Sequence, residues 1–309
     1  MSDQDKTRCG FVSFIGAPNA GKSSLVNRMV GSKVSIVTHK AQTTRNRIIG
    51  ICMVDDTQVV LVDTPGIFQA DRRFEKSMVD AAWQGQSQSD ITCLIVDAAR
   101  KKPGGDTIRI IEHLVKTEQK AILILNKTDI ANKDQLLPLT AKLNEYGCFT
   151  DTFMISAKTG QGTEDVLNHL ATKLPEGPWL YDPDNLTDMP LRLYAAEVTR
   201  EKLFIKLQQE LPYSLTVETE DWERFDNGDI RIHQVIYVLR DTQKSIILGK
   251  GGLNIKKIGQ MVREELTEAL ETKVHLKLFV KTRKNWIDDP ERYSTWGLEF
   301  ETLKHTPKE

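Results

Sequence analysis

Gly16-Ala17-Pro18-Asn19-Ala20-Gly21-Lys22-Ser23 is the stretch that decides the fold of the first half of this chain. It fits the pattern G-x-x-x-x-G-K-[ST] without a mismatch, and it lies between an apolar run and a helical pattern. In such a loop, backbone amides and a helix N-terminus attract phosphate, the lysine reaches the β- and γ-phosphates and the serine hydroxyl binds Mg²⁺. The alternative is a glycine turn without a ligand. The stretch, with the following Ser24, predicts a nucleotide site.

Apolar runs alternate with helical patterns from residue 8 to about residue 174. The runs are apolar nearly throughout, which is typical of strands that are covered on both faces in a mostly parallel sheet. The alternation predicts a doubly wound, mostly parallel α/β domain over residues 8–174. The predicted strands cover residues 10–15, 59–62, 91–96, 121–125 and 153–155.

Three further motifs follow predicted strands, and they indicate which nucleotide is bound. The carboxylate of Asp129 can accept hydrogen bonds from N1–H and N2–H₂ of guanine, whereas adenine would leave it unpaired and desolvated. Asn126 can meet N7, Lys127 can lie over the ring and the Ala157 amide can meet O6. Asp63 ends a strand and should lie near the Mg²⁺. The order of the motifs predicts a GTP site; they are Asp63-Thr64-Pro65-Gly66, Asn126-Lys127-Thr128-Asp129 and Ser156-Ala157-Lys158.

Residues 8–174 resemble the translation-factor class of P-loop GTPases. Signalling GTPases carry a glutamine after D-x-x-G that orients the attacking water. This chain has Ile67 at that position, which cannot hydrogen-bond water, so hydrolysis needs another arrangement.

Asn19 resembles the asparagine that coordinates K⁺ in potassium-activated relatives, where the cation replaces an arginine finger. The alternative is that position 19 is asparagine only because this residue tolerates the backbone conformation of the loop. By analogy with these relatives, Thr44 is the expected switch I ligand of Mg²⁺ and the γ-phosphate, with Thr43 as runner-up. The resemblance implies that Ile67 lies at the nucleotide, that Lys22, Asn19 and Thr44 are catalytic and that Ser23, Thr44 and Asp63 hold Mg²⁺.

The second half of the chain has a different organisation. Residues 175–190 contain four prolines, which cannot continue a helix or a central strand, so we predict an interdomain linker there. The order beyond it is helix, strand, strand, short helix, glycine turn, helix and strand. This order predicts a smaller α+β domain over residues 191–285, followed by a C-terminal extension over residues 286–309.

The glycine turn Gly249-Lys250-Gly251-Gly252 is the second motif with a chemical meaning. It resembles the G-x-x-G segment of a type II KH domain, which holds the backbone of single-stranded RNA. Residues 244–263 contain five basic residues and no Asp or Glu, and a helix N-terminus flanked by such charges attracts phosphate. The alternative is an amphipathic helix with a solvated lysine face. The predicted RNA-binding residues are Ile247, Gly249, Lys250, Gly251, Gly252, Lys256 and Lys257.

A G domain joined through a proline-rich linker to a type II KH domain resembles the Era family of GTPases, over nearly the whole chain. The resemblance implies a GTPase that binds 16S rRNA near its 3′ end and assists assembly of the small (30S) ribosomal subunit, with Mg²⁺ and K⁺ as cofactors. Two other interpretations stay open. One is an RNA-binding module whose G domain senses GTP or GDP with negligible turnover. Ile67 supports this interpretation because isoleucine cannot orient the attacking water. The other is a membrane-associated signalling GTPase whose second domain binds protein.

Composition sets limits on these hypotheses. The formal net charge of the 309 residues is −1, so a surface for nucleic acid has to be local. The cysteines are far apart and no histidine has the spacing of a zinc cluster, so we expect reduced thiols in a cytoplasmic protein. A helix needs about 20 apolar residues to span a bilayer, and no apolar run of this sequence approaches that length. We expect a monomer, and we leave open a peripheral contact with the cytoplasmic face of the inner membrane.

Overall fold

The computed structural model describes residues 7–40, 43–70, 72–208, 211–295 and 298–300. The packing of its Cα atoms divides the chain into two units. The second unit consists of Ile36–Thr43 and Met189–Arg292, and the first unit contains the rest of the described chain. Switch I is predicted to contain Gln42-Thr43-Thr44-Arg45, and Gln42 lies outside the described residues, as do residues 301–309 of the predicted C-terminal extension.

The first unit is a six-stranded sheet with helices. Its strands are β1 (Arg8–Ile15), β2 (Ile48–Val54), β3 (Thr57–Asp63), β4 (Ile91–Asp97), β5 (Ala121–Asn126) and β6 (Phe149–Met154). Its main helices are α1 (Lys22–Val30), α2 (Arg73–Ser87), α3 (Gly105–Lys116), α4 (Lys133–Asn144) and α5 (Thr163–Lys173). The strand order is β2-β3-β1-β4-β5-β6, and every pair is parallel except β2 with β3. The predicted mostly parallel P-loop fold is therefore confirmed.

The sheet brings polar residues together at one edge. Asp63, Asp97 and Asn126 are the last residues of β3, β4 and β5, which are mutually parallel strands of one sheet. The register pairs Asp97 directly with Asn126. Because the carboxyl ends of parallel strands lie at the same edge, ligands of open α/β sheets bind there. This edge is where the loop after β1 also begins.

Strand β2 was not predicted, although its sequence is largely apolar. The glycine in its middle, Gly50, lowers strand propensity and obscures the pattern. The structure shows why a glycine is needed, because a Cβ at Gly50 would lie 2.7 Å from a methyl of Val30 and 3.0 Å from one of Val26. Helix α1 therefore packs closely against β2 at this point. Gly50, which obscured the strand in the sequence, is therefore the residue that allows this packing.

Residues 175–188, which we call the strap, belong to the first unit and lie along β2 and β3. The amide of Ile51 donates to the carbonyl of Leu186 (2.9 Å). Gln58, which is fully buried, accepts from the amides of Leu180 (2.9 Å) and Tyr181 (3.0 Å) and donates to the carbonyl of Tyr181 (2.8 Å). The prolines exclude helix from this segment, but an extended chain can still satisfy its backbone against a sheet edge. Most of the predicted linker is thus fixed to one unit.

The second unit is a three-stranded sheet with helices. It contains α6 (Leu191–Lys206), β7 (Leu215–Arg224), β8 (Ile230–Val238), α7 (Asp241–Leu248), α8 (Leu253–Ala269) and β9 (Val274–Thr282); α9 (Pro290–Thr295) follows near the end of the described chain. Strand β8 is antiparallel to β7 and parallel to β9. Apolar residues of α6 and α8 form one core with this sheet. This smaller α+β unit confirms the predicted class of the second domain.

Val37, Lys40 and Thr43 contact α6 within the second unit. The amide of Val37 donates to the carboxylate of Glu201 (2.9 Å), and the guanidinium of Arg200 donates to the carbonyl of Thr43. The ammonium of Lys40 donates to main-chain carbonyls at the end of α6, where the helix dipole favours a cation. Nothing in the sequence pattern indicated these contacts.

Within the described ranges, no helix has both the length and the apolar character to cross a membrane.

We predict that Gln58→Ala loosens the strap. The substitution removes three hydrogen bonds and leaves partly buried amides of the strap without a partner, so the free energy of unfolding should fall by about 1–3 kcal/mol. Urea denaturation followed by circular dichroism measures this change, and the exposed Gln135→Ala on α4 serves as the control. Equal stability of the two variants would show that the Gln58 contacts do not hold the strap.

Candidate nucleotide and RNA sites

The loop between β1 and α1 is wrapped around the side chain of Lys22. The Lys22 ammonium is buried and donates to the carbonyls of Gly16 (3.0 Å) and Ala17 (3.1 Å). Gly21 has φ +103°, and a Cβ there would lie 2.1 Å from the side-chain Nδ2 of Asn126. The second glycine of the motif is therefore required by the close approach of Asn126, which begins the predicted base-recognition segment Asn126-Lys127-Thr128-Asp129. A phosphate at this loop would give the ammonium an anionic partner in place of carbonyls.

Asp63 is the centre of a cluster of hydroxyl groups. Its Oδ2 accepts from Ser35 Oγ (2.6 Å), Ser23 Oγ (2.7 Å) and Thr44 Oγ1 (3.3 Å), and the hydroxyls of Ser23 and Thr44 are 2.9 Å apart. Its Oδ1 is buried and has no hydrogen-bond partner among the residues that the structure describes. Oxygen ligands of this kind suit Mg²⁺, which prefers carboxylate, hydroxyl and water oxygens. The cluster therefore fits the predicted metal site of Ser23, Thr44 and Asp63.

The charges of this site are held in a dry environment. Burial lowers the pKa of the Lys22 ammonium to about 8, and the nearby Asp63 carboxylate opposes that shift. Burial raises the pKa of Asp63, against the hydrogen bonds from Ser35, Ser23 and Thr44 and the charge of Lys22. Both shifts have the sign expected when charged groups lose water. Buried charges of this kind are stabilised by further counter-charges, which a phosphate and a divalent cation supply.

The structure distinguishes the two candidate threonines of switch I. Thr44 is buried at Asp63, whereas the hydroxyl of Thr43 contacts Thr38 Oγ1 (2.6 Å) and the carbonyl of Lys40 (2.7 Å). Only Thr44 is thus placed with the other predicted metal ligands.

Asn19 is exposed and has φ +63°, a conformation that asparagine tolerates better than most residues.

Ile67 lies under the glycine loop. Its amide donates to the carbonyl of Gly16 (3.1 Å) and its side chain is buried in an apolar cluster. A water molecule would find no hydrogen-bonding group on this side chain. The residue that orients water in signalling GTPases is therefore replaced here by a packing residue.

The predicted base site is assembled at the ends of β5 and β6. The side-chain oxygen of Asn126 accepts from the amides of Lys127 (2.8 Å) and Ala157 (2.9 Å), and its NH₂ group donates to the carbonyl of Ala20 (2.9 Å). Ser156 Oγ donates to Oδ1 of the exposed Asp129 (2.8 Å). Asn126 therefore ties three loops together, and Asp129 projects with one carboxylate oxygen already oriented.

The remaining predicted nucleotide residues surround these groups. Thr64 is buried and donates to the carbonyl of Phe14 (2.8 Å) below the loop. Ala20 and Pro65 are buried, Ala17, Pro18, Ser24, Gly66 and Thr128 are partly exposed, and Lys158 is exposed.

The glycine turn of the second unit joins α7 to α8 through a left-handed backbone conformation that favours glycine. Gly249, Gly251 and Gly252 have φ of +70°, +60° and +75°. Asn254 Nδ2 donates to the carbonyl of Ile246 (3.2 Å), which ties α8 to the end of α7. A Cβ at Gly251 meets no atom within 4 Å, whereas one at Gly249 would lie 2.7 Å from Cβ of Asn254. Gly251 therefore faces open space, where an RNA backbone could approach the turn.

The side chains around the turn separate into exposed and buried sets. Lys250, Lys256 and Lys257 are exposed, as RNA binding requires. Ile247 is fully buried, whereas Ile246 and Leu253 are 57% and 60% exposed. Ile247 therefore supports the turn from the core, and its two apolar neighbours are the ones available to unstacked bases. Sequence spacing could not separate these residues, because a short helix next to an irregular turn has no reliable periodicity.

Sequence reasoning also missed two polar residues of the nucleotide site. Ser35 is buried and donates to Asp63, although it lies in no recognised motif. Asp97 ends β4, and its carboxylate lies 2.7 Å from the Lys127 ammonium. Its position at the carboxyl end of an apolar strand was a signal that could have found it.

Comparison with known proteins agrees with this geometry. A family model described as "50S ribosome-binding GTPase" matches residues 11–127, and a KH domain model matches residues 210–287. GTPase Era of Sinorhizobium medicae is 54% identical over 294 residues, which cover 95% of this chain and 94% of that protein. The chain belongs to the GTPase Era family. GTPase Era of Brucella suis is 51% identical over 304 residues, with 97% and 96% of the two chains covered. As a member of this family, the protein is a GTPase.

Solved structures of Era also match over nearly the whole chain. One is a tyrosine-to-alanine variant of Aquifex aeolicus Era bound to GDP and AlF₄⁻, with a TM-score of 0.88, 34% identity and coverage of 94% of this chain and 99% of that one. The other is Era in complex with MgGDPNP and nucleotides 1506–1542 of 16S ribosomal RNA, with the same TM-score, identity and coverage. Both support the assignment of a G domain and a KH domain.

We predict that Asp129→Asn changes the base specificity of this Era family member. The amide cannot accept both guanine donors, so GTP affinity should fall by about 100-fold or more, while xanthosine triphosphate should bind more tightly because it presents a carbonyl there. Competition with a fluorescent GDP measures both affinities. The control is Asp55→Asn, at an exposed turn residue with φ +48° that asparagine can adopt. Continued preference of Asp129→Asn for GTP would place Asp129 elsewhere than at the base.

Proposed function

We propose that this Era family GTPase is a nucleotide-driven switch that binds 16S rRNA near its 3′ end through the KH domain and assists assembly of the small (30S) ribosomal subunit. The observation that carries the proposal is the exposed glycine turn beside Lys250, Lys256 and Lys257 in a chain that also carries a complete GTP site. The Era structure in complex with nucleotides 1506–1542 of 16S rRNA, which is 34% identical, supports the choice of RNA.

The same proposal gives the RNA site a physical basis. Three glycines with positive φ allow the turn to approach a sugar-phosphate backbone without side-chain interference. The N-terminus of α8 begins directly after the turn, and its free amides and dipole favour phosphate. Ile246 and Leu253 flank the turn and offer apolar surface to unstacked bases. These features hold single-stranded RNA by its backbone and leave base edges readable.

For the nucleotide, we propose that Ser23, Thr44 and Asp63 hold Mg²⁺, which would neutralise phosphate charge during hydrolysis. Lys22 contacts the β- and γ-phosphates once they displace the carbonyls of the loop. Burial of Lys22 and Asp63 strengthens these electrostatic interactions, because little water screens them. The Era structure with MgGDPNP supports this choice of metal.

Potassium completes the proposal for hydrolysis. The buried, apolar Ile67 gives the attacking water no hydrogen bond, so stabilisation of the transition state must come from another group. We propose that Asn19 and the loop carbonyls hold K⁺ beside the phosphates. The alternative, that Asn19 is present only because asparagine tolerates φ +63°, makes a different prediction. Because the chain belongs to a GTPase family, turnover is expected, unlike in an RNA-binding protein that only senses GTP.

We predict that turnover is faster in K⁺ than in Na⁺ and that Asn19→Gly removes the difference. Glycine tolerates the same positive φ, so the substitution removes the side-chain oxygen without straining the loop. The measurement is phosphate release at saturating GTP in the two salts, with GDP affinity as a control for an intact loop. If the K⁺ dependence survives in Asn19→Gly, Asn19 serves the backbone alone. Equal rates in both salts for the unchanged protein exclude the potassium role, and negligible turnover in both would contradict the GTPase activity of the family.

We predict that Gly251→Asp abolishes binding of an RNA of nucleotides 1506–1542, while Gly251→Asn retains part of it. Both residues tolerate positive φ and fit the open space at this position, so the pair differs only in charge. Lys256→Ala should weaken binding modestly and lower the slope of log affinity against log salt by about one. Filter binding at several salt concentrations measures these effects, and GTP turnover should be unchanged. Undiminished binding by Gly251→Asp, with an unchanged thermal melt, would remove the KH turn as the RNA site.

We also propose that the protein acts in the cytoplasm as a monomer. Cys9, Cys52, Cys93 and Cys148 are buried and free, and free cysteines are typical of proteins in a reducing compartment. Fractionation of cell extracts measures whether the protein also contacts the inner membrane.

A further inference from the structure

Asp97 is a partly buried carboxylate beside the base-recognition segment and outside every motif of the sequence. Its side chain is 14% exposed, and its Oδ2 lies 2.7 Å from the Lys127 ammonium, which is 30% exposed. The pairing of Asp97 with Asn126 in adjacent parallel strands brings the two segments together. The ion pair is therefore produced by the register of the sheet and joins β4 to the loop after β5.

The carboxylate of Asp97 is itself held in one orientation. Its Oδ1 accepts from the amide of Ala99 (3.1 Å), which leaves Oδ2 directed to Lys127. The guanidinium of Arg100 lies farther away, 3.6 Å from the same Oδ2, and is mostly exposed. The dominant partner of this oxygen is thus the lysine.

Lys127 is constrained at its other end as well. Its backbone has φ +69°, which is unfavourable for lysine, and its amide donates to Asn126 Oδ1 (2.8 Å). A lysine side chain loses conformational entropy when a ligand immobilises it. In this protein the backbone and the ammonium are both fixed before the nucleotide arrives, so little of that entropy is left to lose.

We propose that Asp97 is a positioning residue for guanine recognition, which fixes Lys127 in the place where it lies over the base. The inference rests on the proposed GTP site and on the predicted position of Lys127 over the guanine ring. A site binds its ligand more tightly when the contacting side chain is already held in place. Removing the ion pair between Asp97 and Lys127 should therefore weaken the binding of every ligand that carries guanine. Asp97 should therefore act equally on GTP and GDP, since both present guanine and differ only in phosphates.

The test compares Asp97→Asn, Lys127→Met and the double variant with the unchanged protein. Methionine keeps an unbranched side chain and removes the ammonium. We expect Asp97→Asn to raise Kd for GDP and KM for GTP by the same factor, about 3- to 10-fold, through faster dissociation. The turnover number at saturating GTP should keep its value, and Asp97→Glu should restore most of the affinity. Asp106→Asn, which removes a carboxylate paired with Arg109 on α3, is the matched control.

The double variant separates positioning from a structural role. If Asp97 acts through the ammonium of Lys127, the double variant binds GDP no more weakly than Lys127→Met alone. Additive losses, a lower thermal midpoint for Asp97→Asn than for Asp106→Asn, or tighter GDP binding by Asp97→Asn would each overturn the inference. If Lys127→Met itself binds GDP normally, the proposed role of Lys127 fails. If Lys127→Met binds weakly and Asp97→Asn normally, only the positioning role fails.

Discussion

The nucleotide site of the first unit depends on the burial of one carboxylate. Asp63 ends a fully buried strand, and removing its charge from water is costly unless other groups compensate. The hydroxyls of Ser23, Ser35 and Thr44 meet this requirement, and they come from three separate segments of the chain. The need to stabilise one buried charge therefore brings the glycine loop, the segment after α1 and the end of switch I to a single point.

The two glycine turns use the same physics in different surroundings. Each precedes a helix N-terminus, and each needs positive φ at more than one glycine. The turn at Gly21 lies against Asn126 and encloses a buried lysine, so it can surround a small, highly charged ligand. The turn at Gly251 faces open space with exposed lysines, so it can bind a long polymer without enclosing it. Burial, more than sequence pattern, separates a nucleotide pocket from an RNA clamp.

The sequence predicted the fold class and the motif residues because their chemistry is local. A glycine loop followed by a helix, or Asp63 at the end of an apolar strand, can be recognised within ten residues. Three features depend on residues that are distant in sequence: the strap, the contacts of Val37, Lys40 and Thr43 with α6, and the Asp97–Lys127 ion pair. Prolines in the strap show what it cannot form, and they do not show that Gln58 will bind its backbone. Ser35 could not be predicted either, since an isolated serine carries no pattern.

Three aspartates at the same edge of the sheet illustrate how environment divides their roles. Asp63 is fully buried and surrounded by hydroxyl donors, so its free oxygen suits a cation. Asp97 is partly buried and already paired with an ammonium, so its charge is used within the protein. Asp129 is exposed, and only its Oδ1 receives the Ser156 hydroxyl, which leaves acceptor capacity for a ligand. The same side chain is thus suited to a metal, a neighbouring residue or a base, according to how much of its hydrogen-bonding capacity the fold has already used.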